Sequence, residues 1–295
     1  MKKILIAGAT GYLGRYLVQT FKTKGYEVHV LVRNEKRLKE KGPFASPAIA
    51  HLADEVHIGD VCDPATLTGV CEGIDFVCSA VGITRQIGKQ TFWDVDYQGN
   101  LNLLREAEQA QVKQMMYIHA FQAEQLNNNL TKAKEAFATA LKNASLDFII
   151  IKPTGYFSDL TAYLDMAEKG RVYLIGSGAY RLNPIHGQDL ANYCAEVLDV
   201  QHHAILDIGG PVIYQHQQLA QLAVEATGKQ AKVTHIPQNI LKVAVVASRL
   251  LGSRIHTLAQ FFYAGVTRDM VAPQFGTHHL DTYFKEKVNQ QPPVS

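Results

Sequence analysis

The segment Gly8-Ala9-Thr10-Gly11-Tyr12-Leu13-Gly14 constrains this chain more than any other. It follows the short apolar run Lys3–Ala7, which reads as a strand buried on both faces. It opens a helical pattern over Tyr12–Lys24 that closes at Gly25. Each glycine has its own duty at such a strand-to-helix turn. Gly8 permits the tight turn, Gly11 lets the backbone approach a pyrophosphate, and Gly14 lets the helix pack closely on the strand. Phosphates then rest on unpaired amides at a helix N-terminus, where the dipole also favours negative charge. Thr10, Tyr12 and Leu13 lie inside this turn and are expected to touch the ligand with it.

Strand and helix go on alternating. Strands are expected at Glu27–Val32, Glu55–Ile58, Asp75–Ser79, Gln114–His119 and Asp147–Lys152, and helices near Pro64–Val70, Trp93–Ala110 and Leu130–Asn143. Crossovers of this length imply parallel pairing with helices on both faces, so the pattern predicts an α/β fold with a doubly wound Rossmann sheet. After Pro153 the pattern loosens. Val172–Ile175 and Ile205–Ile208 read as strands, Asp189–Val200 and Gln215–Thr227 as helices, the last closed by Gly228. The organisation expected is a dinucleotide-binding domain over residues 1–155 and a smaller C-terminal lobe over 156–295, with one or two late strands returning to the main sheet.

The end of the second strand selects the dinucleotide. NAD sites commonly place a carboxylate there for the ribose, whereas this chain reads Leu31-Val32-Arg33-Asn34, with Lys36 and Arg37 beyond. A guanidinium suits a 2′-phosphate, so NADPH or NADP is expected over NAD. Arg37 reads equally as a solvated surface charge. Asp60 and Val61 follow the third strand, and Ala80, Val81 and Gly82 the fourth, at the carboxyl edge where adenine and nicotinamide ribose would pass. Asp60 is a candidate acceptor for the adenine amino group, while Asp63 is the natural cap for the helix at Pro64.

Other classes are set aside on charge and spacing. With 29 Lys and Arg against 27 Asp and Glu, nothing supports a nucleic-acid partner. Cys62, Cys71, Cys78 and Cys194 form no C-x-x-C pair and have no histidine at metal-ligand spacing, so buried reduced thiols and no metal are expected. The apolar stretch Asn239–Val266 is broken by Lys242, Arg249, Arg254 and His256, which argues against a spanning helix and for a cytoplasmic protein. Oligomeric state is left open.

The Gly8–Gly14 turn, Gly59-Asp60-Val61, Lys134 and Lys152-Pro153-Thr154-Gly155-Tyr156-Phe157 together resemble the atypical short-chain dehydrogenase/reductases, in the branch with NmrA-like and isoflavone-reductase-like proteins. Pro184-Ile185-His186-Gly187-Gln188-Asp189 is similar to a further segment of that family. Familiar members carry Tyr-x-x-x-Lys, in which the lysine lowers the tyrosine pKa and the phenol moves a proton. Here the lysine is Lys134, but Leu130 stands at the tyrosine position, and Tyr117-Ile118-His119-Ala120 offers no serine. The resemblance implies that Lys134 holds the nicotinamide ribose, with direct acid–base work as the alternative. His119 is a second candidate proton donor or a structural histidine. Pro153, Tyr156 and Phe157 are expected beside the nicotinamide, although the aromatics read equally as core. Tyr283–Lys287 matches the motif formally but outside its strand–helix context.

Ile240, Val243, Ala244, Ala247, Leu250 and Leu251 recur at helical spacing, with Leu258, Phe261 and Phe262 beyond. Core packing is the expectation, and a lid or partner-binding face the alternative. Two functions follow. One is an NADPH-dependent reductase of a small carbonyl or conjugated substrate. The other is a non-catalytic NADP(H)-binding redox sensor or assembly factor with a protein partner at the C-terminal lobe.

Overall fold

The computed structural model describes residues 1–83, 90–126 and 128–290. Gln290–Ser295, whose two prolines predict a frayed tail, lies outside them past Gln290. The elements in order are β1 (Lys3–Ala7), α1 (Tyr12–Thr23), β2 (Glu27–Val32), α2 (Lys36–Lys39), β3 (Glu55–Ile58), β4 (Phe76–Ser79), α3 (Asn100–Gln109), β5 (Gln114–Ile118), α4 (Asn129–Lys142) and β6 (Asp147–Pro153). They continue as α5 (Thr161–Glu168), β7 (Arg171–Ile175), β8 (Arg181–Leu182), α6 (Gly187–Leu198), β9 (Ala204–Ile208), β10 (Tyr214–Gln215), α7 (His216–Thr227) and β11 (Lys232–Ile236). The last are α8 (Gln238–Ala247), α9 (Ser253–Val266) and α10 (Leu280–Gln290).

The main sheet has seven strands in the order β3-β2-β1-β4-β5-β6-β9. The pairs from β3 through β6 are all parallel, as helix-length crossovers demand. Because side chains alternate along a strand, Leu5, Leu31, Val77, Met115, Tyr117 and Ile150 share one face. They pack there with Leu103 and Leu104 of α3 and Phe137 of α4. Ile4, Ile6, Val28 and Val30 are fully buried from the opposite face. Asn128 caps α4 by accepting from Thr131 N at 3.0 Å.

Contacts divide the chain into two units. The first is Met1–Lys152 with Leu190–Asp207, and the second is Pro153–Asp189 with the chain from Ile208 onward. In the second unit β7 and β11 pair in parallel and β8 and β10 antiparallel. Phe157, Leu164, Val172, Leu219 and Phe284 fill its core.

Three local expectations change. The helix foreseen at Pro64–Val70 is a 3₁₀ turn over Pro64–Leu67, capped as expected by Asp63 to Ala65 N at 3.2 Å. Gly69, at φ +80°, ends any continuation. The single helix foreseen at Trp93–Ala110 opens with a π-helical turn over Trp93–Gly99 before α3 begins. The largest correction concerns α8 and α9. Core packing was expected, yet Val243 is 68% exposed, Leu250 90% and Phe262 54%, and no residue of α8 is buried. Periodicity announces an apolar helix face but says nothing about what covers it. Cys71, Cys78 and Cys194 are buried free thiols, whereas Cys62 is half-buried.

Candidate functional site

The turn from β1 to α1 is built around missing side chains. Gly8 sits at φ +81°, and a β-carbon there would lie 2.8 Å from the carbonyl oxygen of Ala80. A β-carbon on Gly14 would lie 2.1 Å from Gly8 O and 2.8 Å from the Ala9 α-carbon, so α1 rests directly on the turn. Gly11 is the N-cap and makes no side-chain cap bond, and the first turn of α1 carries no acidic residue. The helix therefore offers its first amides and the positive end of its dipole with no side chain competing for them. This cradle fits a dinucleotide pyrophosphate.

Arg15, which sequence reasoning passed over, braces the cradle. Its guanidinium is buried and donates to the carbonyls of Thr10 at 3.2 Å, Glu40 at 2.6 Å, Pro47 at 2.8 Å and Arg37 at 2.5 Å. One side chain thus ties the phosphate turn to the loop after β2. Tyr12 packs edge-on against Tyr16 and Phe44, with centroids 5.4 and 5.9 Å away. Leu13 is buried and Thr10 half-buried.

Arg33, directly after β2, and Arg37, on α2, are both exposed. Arg33 Nη1 lies 3.8 Å from Asp60 Oδ2, a loose ion pair between an exposed guanidinium and a half-buried carboxylate that holds the arginine only weakly. Asp60 Oδ1 accepts from Cys62 N at 3.0 Å. Asn102 donates to Val61 O at 2.9 Å and so pins this loop to α3.

Past β4, Ala80, Val81 and Gly82 run against the phosphate turn on one side and a buried charge cluster on the other. Lys134 Nζ lies 3.1 Å from Asp96 Oδ1 and 3.5 Å from the Tyr117 hydroxyl. A β-carbon on Gly82 would stand 2.7 Å from Asp96 Oδ1 and 3.0 Å from Lys134 Nζ, so the backbone passes directly over the pair. Asp96 is fully buried. Burial pushes its carboxyl above the usual range, and the Lys134 ammonium opposes that rise. Burial likewise pushes the Tyr117 phenol up to about 12, again opposed by Lys134. Asn100 completes the frame. It accepts from Ser79 Oγ at 2.5 Å and donates to Asp96 O at 3.0 Å and Val81 O at 3.4 Å.

Leu130 of α4 stands where the family motif carries its tyrosine. A tyrosine does approach Lys134, but from the neighbouring strand β5 and sealed from water. Nothing in a linear motif announces Tyr117 or Asp96, because each reaches the lysine only once the strands are ordered.

His119 also sits at the end of β5. Its Nδ1 accepts from Ala120 N at 2.7 Å, which places the ring proton on Nε2, 3.2 Å from Glu135 Oε1. Burial holds the imidazole pKa below its ordinary value, and Glu135 works against that. Both nitrogens therefore face neighbours within the unit.

The other named residues lie in the second unit or at its start. Pro153 is buried at the end of β6, and Tyr156 is half-buried. Phe157 packs in that unit's core, with His186 and Tyr283 at ring distances of 5.7 and 5.6 Å. Lys287 Nζ is 5.2 Å from the Tyr283 ring centre. Asp189 accepts from Thr277 N at 3.1 Å and His278 N at 3.0 Å and meets His278 Nδ1 at 2.8 Å. It fastens a distant loop, a role that its place at a helix start did not suggest.

The glycine cradle, the basic end of β2 and the lysine at the β4 edge form a continuous strip along the carboxyl ends of parallel strands, the arrangement of a dinucleotide-binding α/β protein. A family model described as NAD(P)H-binding matches residues 8–201. The chain belongs to that family, within the atypical short-chain dehydrogenase/reductase group. It is 27% identical over 255 residues to the chloroplastic divinyl chlorophyllide a 8-vinyl-reductase of Zea mays, a match covering 82% of this chain and 63% of that protein. The chain therefore spans less than two thirds of the maize relative. It is 28% identical over 247 residues to the photosystem II assembly factor Ycf39 of Trieres chinensis, covering 81% of this chain and 74% of the other. Among solved structures, the NADPH-dependent quinone oxidoreductase QOR2 of Escherichia coli, complexed with NADPH, superimposes with a TM-score of 0.71 at 18% identity. That match covers 97% of this chain and 98% of QOR2, and at this identity it speaks for the fold. Among the described residues no helix is long and apolar enough to cross a membrane.

Proposed function

We propose that the protein is an NADPH-dependent reductase of a small carbonyl or conjugated substrate. The observation that carries this reading is Gly82 stripped of a side chain directly over the Lys134–Asp96 pair, continuous with the phosphate cradle at Gly8. When bound, the dinucleotide supplies a hydride. The Gly8–Gly14 turn holds its pyrophosphate, Arg33 and Arg37 its 2′-phosphate, and Asp60 and Val61 its adenine. Ala80–Gly82 and Lys134 face the nicotinamide ribose. Asp96 keeps Lys134 in place, and Lys134 delivers or relays the proton that the reduced substrate needs. We assign that proton to Lys134 over His119 because the nitrogens of His119 face Ala120 N and Glu135.

NADPH is preferred over NADH on this reading because the end of β2 offers an exposed guanidinium and no carboxylate at residue 33. Arg33→Asp should weaken NADPH at least tenfold, about 1.4 kcal/mol, and NADH far less, as read by calorimetry. Equal losses for both cofactors would remove the specificity argument. Turnover is tested by NADPH oxidation over a panel of carbonyls, quinones and conjugated alkenes. Lys134→Ala should abolish it while NADPH still binds. Wild-type rates in that variant would take Lys134 out of the mechanism.

One observation favours the second reading, a non-catalytic NADP(H)-binding sensor or assembly factor. Residues 238–268 contain no Asp or Glu, and α8, α9 and the 3₁₀ turn between them expose Ile240, Val243, Leu250, Leu251 and Phe262. Each such side chain left in water forgoes about 1.5–3 kcal/mol, a cost that marks an interaction surface. The expected signature is no turnover across the panel, together with a protein partner whose affinity changes between NADPH and NADP⁺.

A further inference from the structure

Two adjacent strands carry a cluster that neither reading uses. Glu27 and His29 on β2 share a face with Glu55 and His57 on β3, since residues two apart in a strand point the same way. The parallel register sets His29 beside Glu55 and Leu31 beside His57. His29 Nδ1 lies 3.1 Å from His57 Nε2 and 3.4 Å from Glu55 Oε2, and His57 Nε2 lies 3.7 Å from Glu55 Oε1. We infer that His29 Nδ1, His57 Nε2 and the Glu55 carboxylate form a binding site for a divalent transition metal of the zinc class, independent of how the cofactor strip is read.

Three observations support this. First, donors held about 2.0–2.1 Å from a tetrahedral ion stand roughly 3.3 Å apart; the two imidazole nitrogens are 3.1 Å apart, the shortest approaches of the Glu55 carboxylate, through one oxygen to each histidine, are 3.4 and 3.7 Å, and one donor atom from each residue lies within 4.8 Å of the other two. Second, the nitrogen of His29 that faces away from the triangle, Nε2, is 3.1 Å from Glu27 Oε1, and Glu27 is itself held by Lys3 Nζ at 2.9 Å. A carboxylate behind a ligating histidine fixes its tautomer and raises its basicity, a recurrent feature of metal sites. Third, His29 is buried while Glu55 is exposed and His57 half-buried, so the ligand set is anchored on one side and open to water on the other. Two imidazoles and one carboxylate supply the donors that zinc accepts and leave a fourth position for water. Spacing rules could not find this site, because it joins residues 29 and 57 through strand pairing; the sequence had indicated no metal.

The ion would staple the edge strand β3 to β2, and these strands lead to Asp60 and Arg33 respectively. The test uses the full chain, stripped with a chelator and titrated with Zn²⁺ alone by calorimetry, then with Co²⁺ as an optical probe. One ion per chain is expected, with a higher thermal midpoint on loading and visible absorption from four-coordinate Co²⁺. Glu55→Gln combined with His57→Ala should lower affinity at least a hundredfold; loss of the His57 partner of His29 lowers the metal-free midpoint modestly, and the chain still folds and binds NADPH as before. Glu27→Gln, which supplies no donor atom to the ion but removes the carboxylate behind His29 Nε2, should lower affinity tenfold to a hundredfold. Asp147→Asn is the control, since His202 and His203 approach Asp147 at 3.0 and 2.8 Å in a separate cluster. Absence of saturable one-to-one uptake overturns the site. So does uptake that survives the double variant or disappears with Asp147→Asn.

Discussion

At the Gly8–Gly14 turn the working surface is backbone. The three glycines clear space, α1 presents bare amides, and the one charged side chain involved, Arg15, is spent on bracing carbonyls. At Lys134, a few residues along the same sheet edge, the working surface is side chain: a lysine, a fully buried aspartate and a sealed phenol, held in register by Asn100. The difference shows how each region tolerates change. A backbone cradle is intolerant of added atoms, because the space it needs is already filled by its own turn. A side-chain cluster is intolerant of lost charge, because each buried ionisable group depends on the next.

The sharpest way to break this contrast is Gly14→Val. The new β-carbon would fall within 2.1 Å of Gly8 O, and backbone cannot rotate aside as a side chain can. Stability should drop by about 3 kcal/mol or more, and NADPH binding should be lost with it, measured by thermal unfolding and calorimetry. A variant that folds and binds normally would show that the cradle is not close-packed. Asp96→Asn should cost no more than that, about 3 kcal/mol at the lower end for one half of a buried ion pair, because a neutral amide still fills the space beside Lys134. NADPH affinity should survive while turnover falls. If affinity collapsed as well, the cradle and the lysine cluster would be one unit.

The smallest effect is expected from acid. Burial holds the His119 pKa below that of a free imidazole, so just below pH 6.5 the unfolded chain binds a proton that the folded chain refuses. His119 therefore contributes full stability above that range, and its contribution declines as pH falls. In His119→Asn the acid-side slope of stability against pH should be shallower by up to about 1 kcal/mol per pH unit. Identical slopes for the two proteins would mean that His119 takes up its proton in the folded state as readily as in the unfolded one.

Much of the fold was legible because its signals are local. Lys3–Ala7, the three glycines and the helical period after Tyr12 lie within two dozen residues, and parallel crossovers follow from the helices between strands. Asp63 as a cap and Gly228 as a helix stop were equally readable, at 3.2 Å to Ala65 N and φ +63°. What could not be read were pairings across the sheet. Asp96 and Lys134 meet only because β4 and β5 are neighbours, and Tyr117 reaches the lysine only because α4 crosses the end of β5. Arg15 carries no local signal, because the carbonyls it braces come from the loop after β2 and meet it only in the folded chain.

By itself, then, the sequence determined a doubly wound sheet with a phosphate turn after its first strand, since backbone conformational preference and side-chain periodicity act over a few residues. The tertiary structure alone decided which ionisable groups share a pocket, which histidines share a face, and that the apolar sides of α8 and α9 stay exposed. Those outcomes depend on strand order, register and the neighbours available to each face, and those are set by packing contacts between residues far apart in the chain.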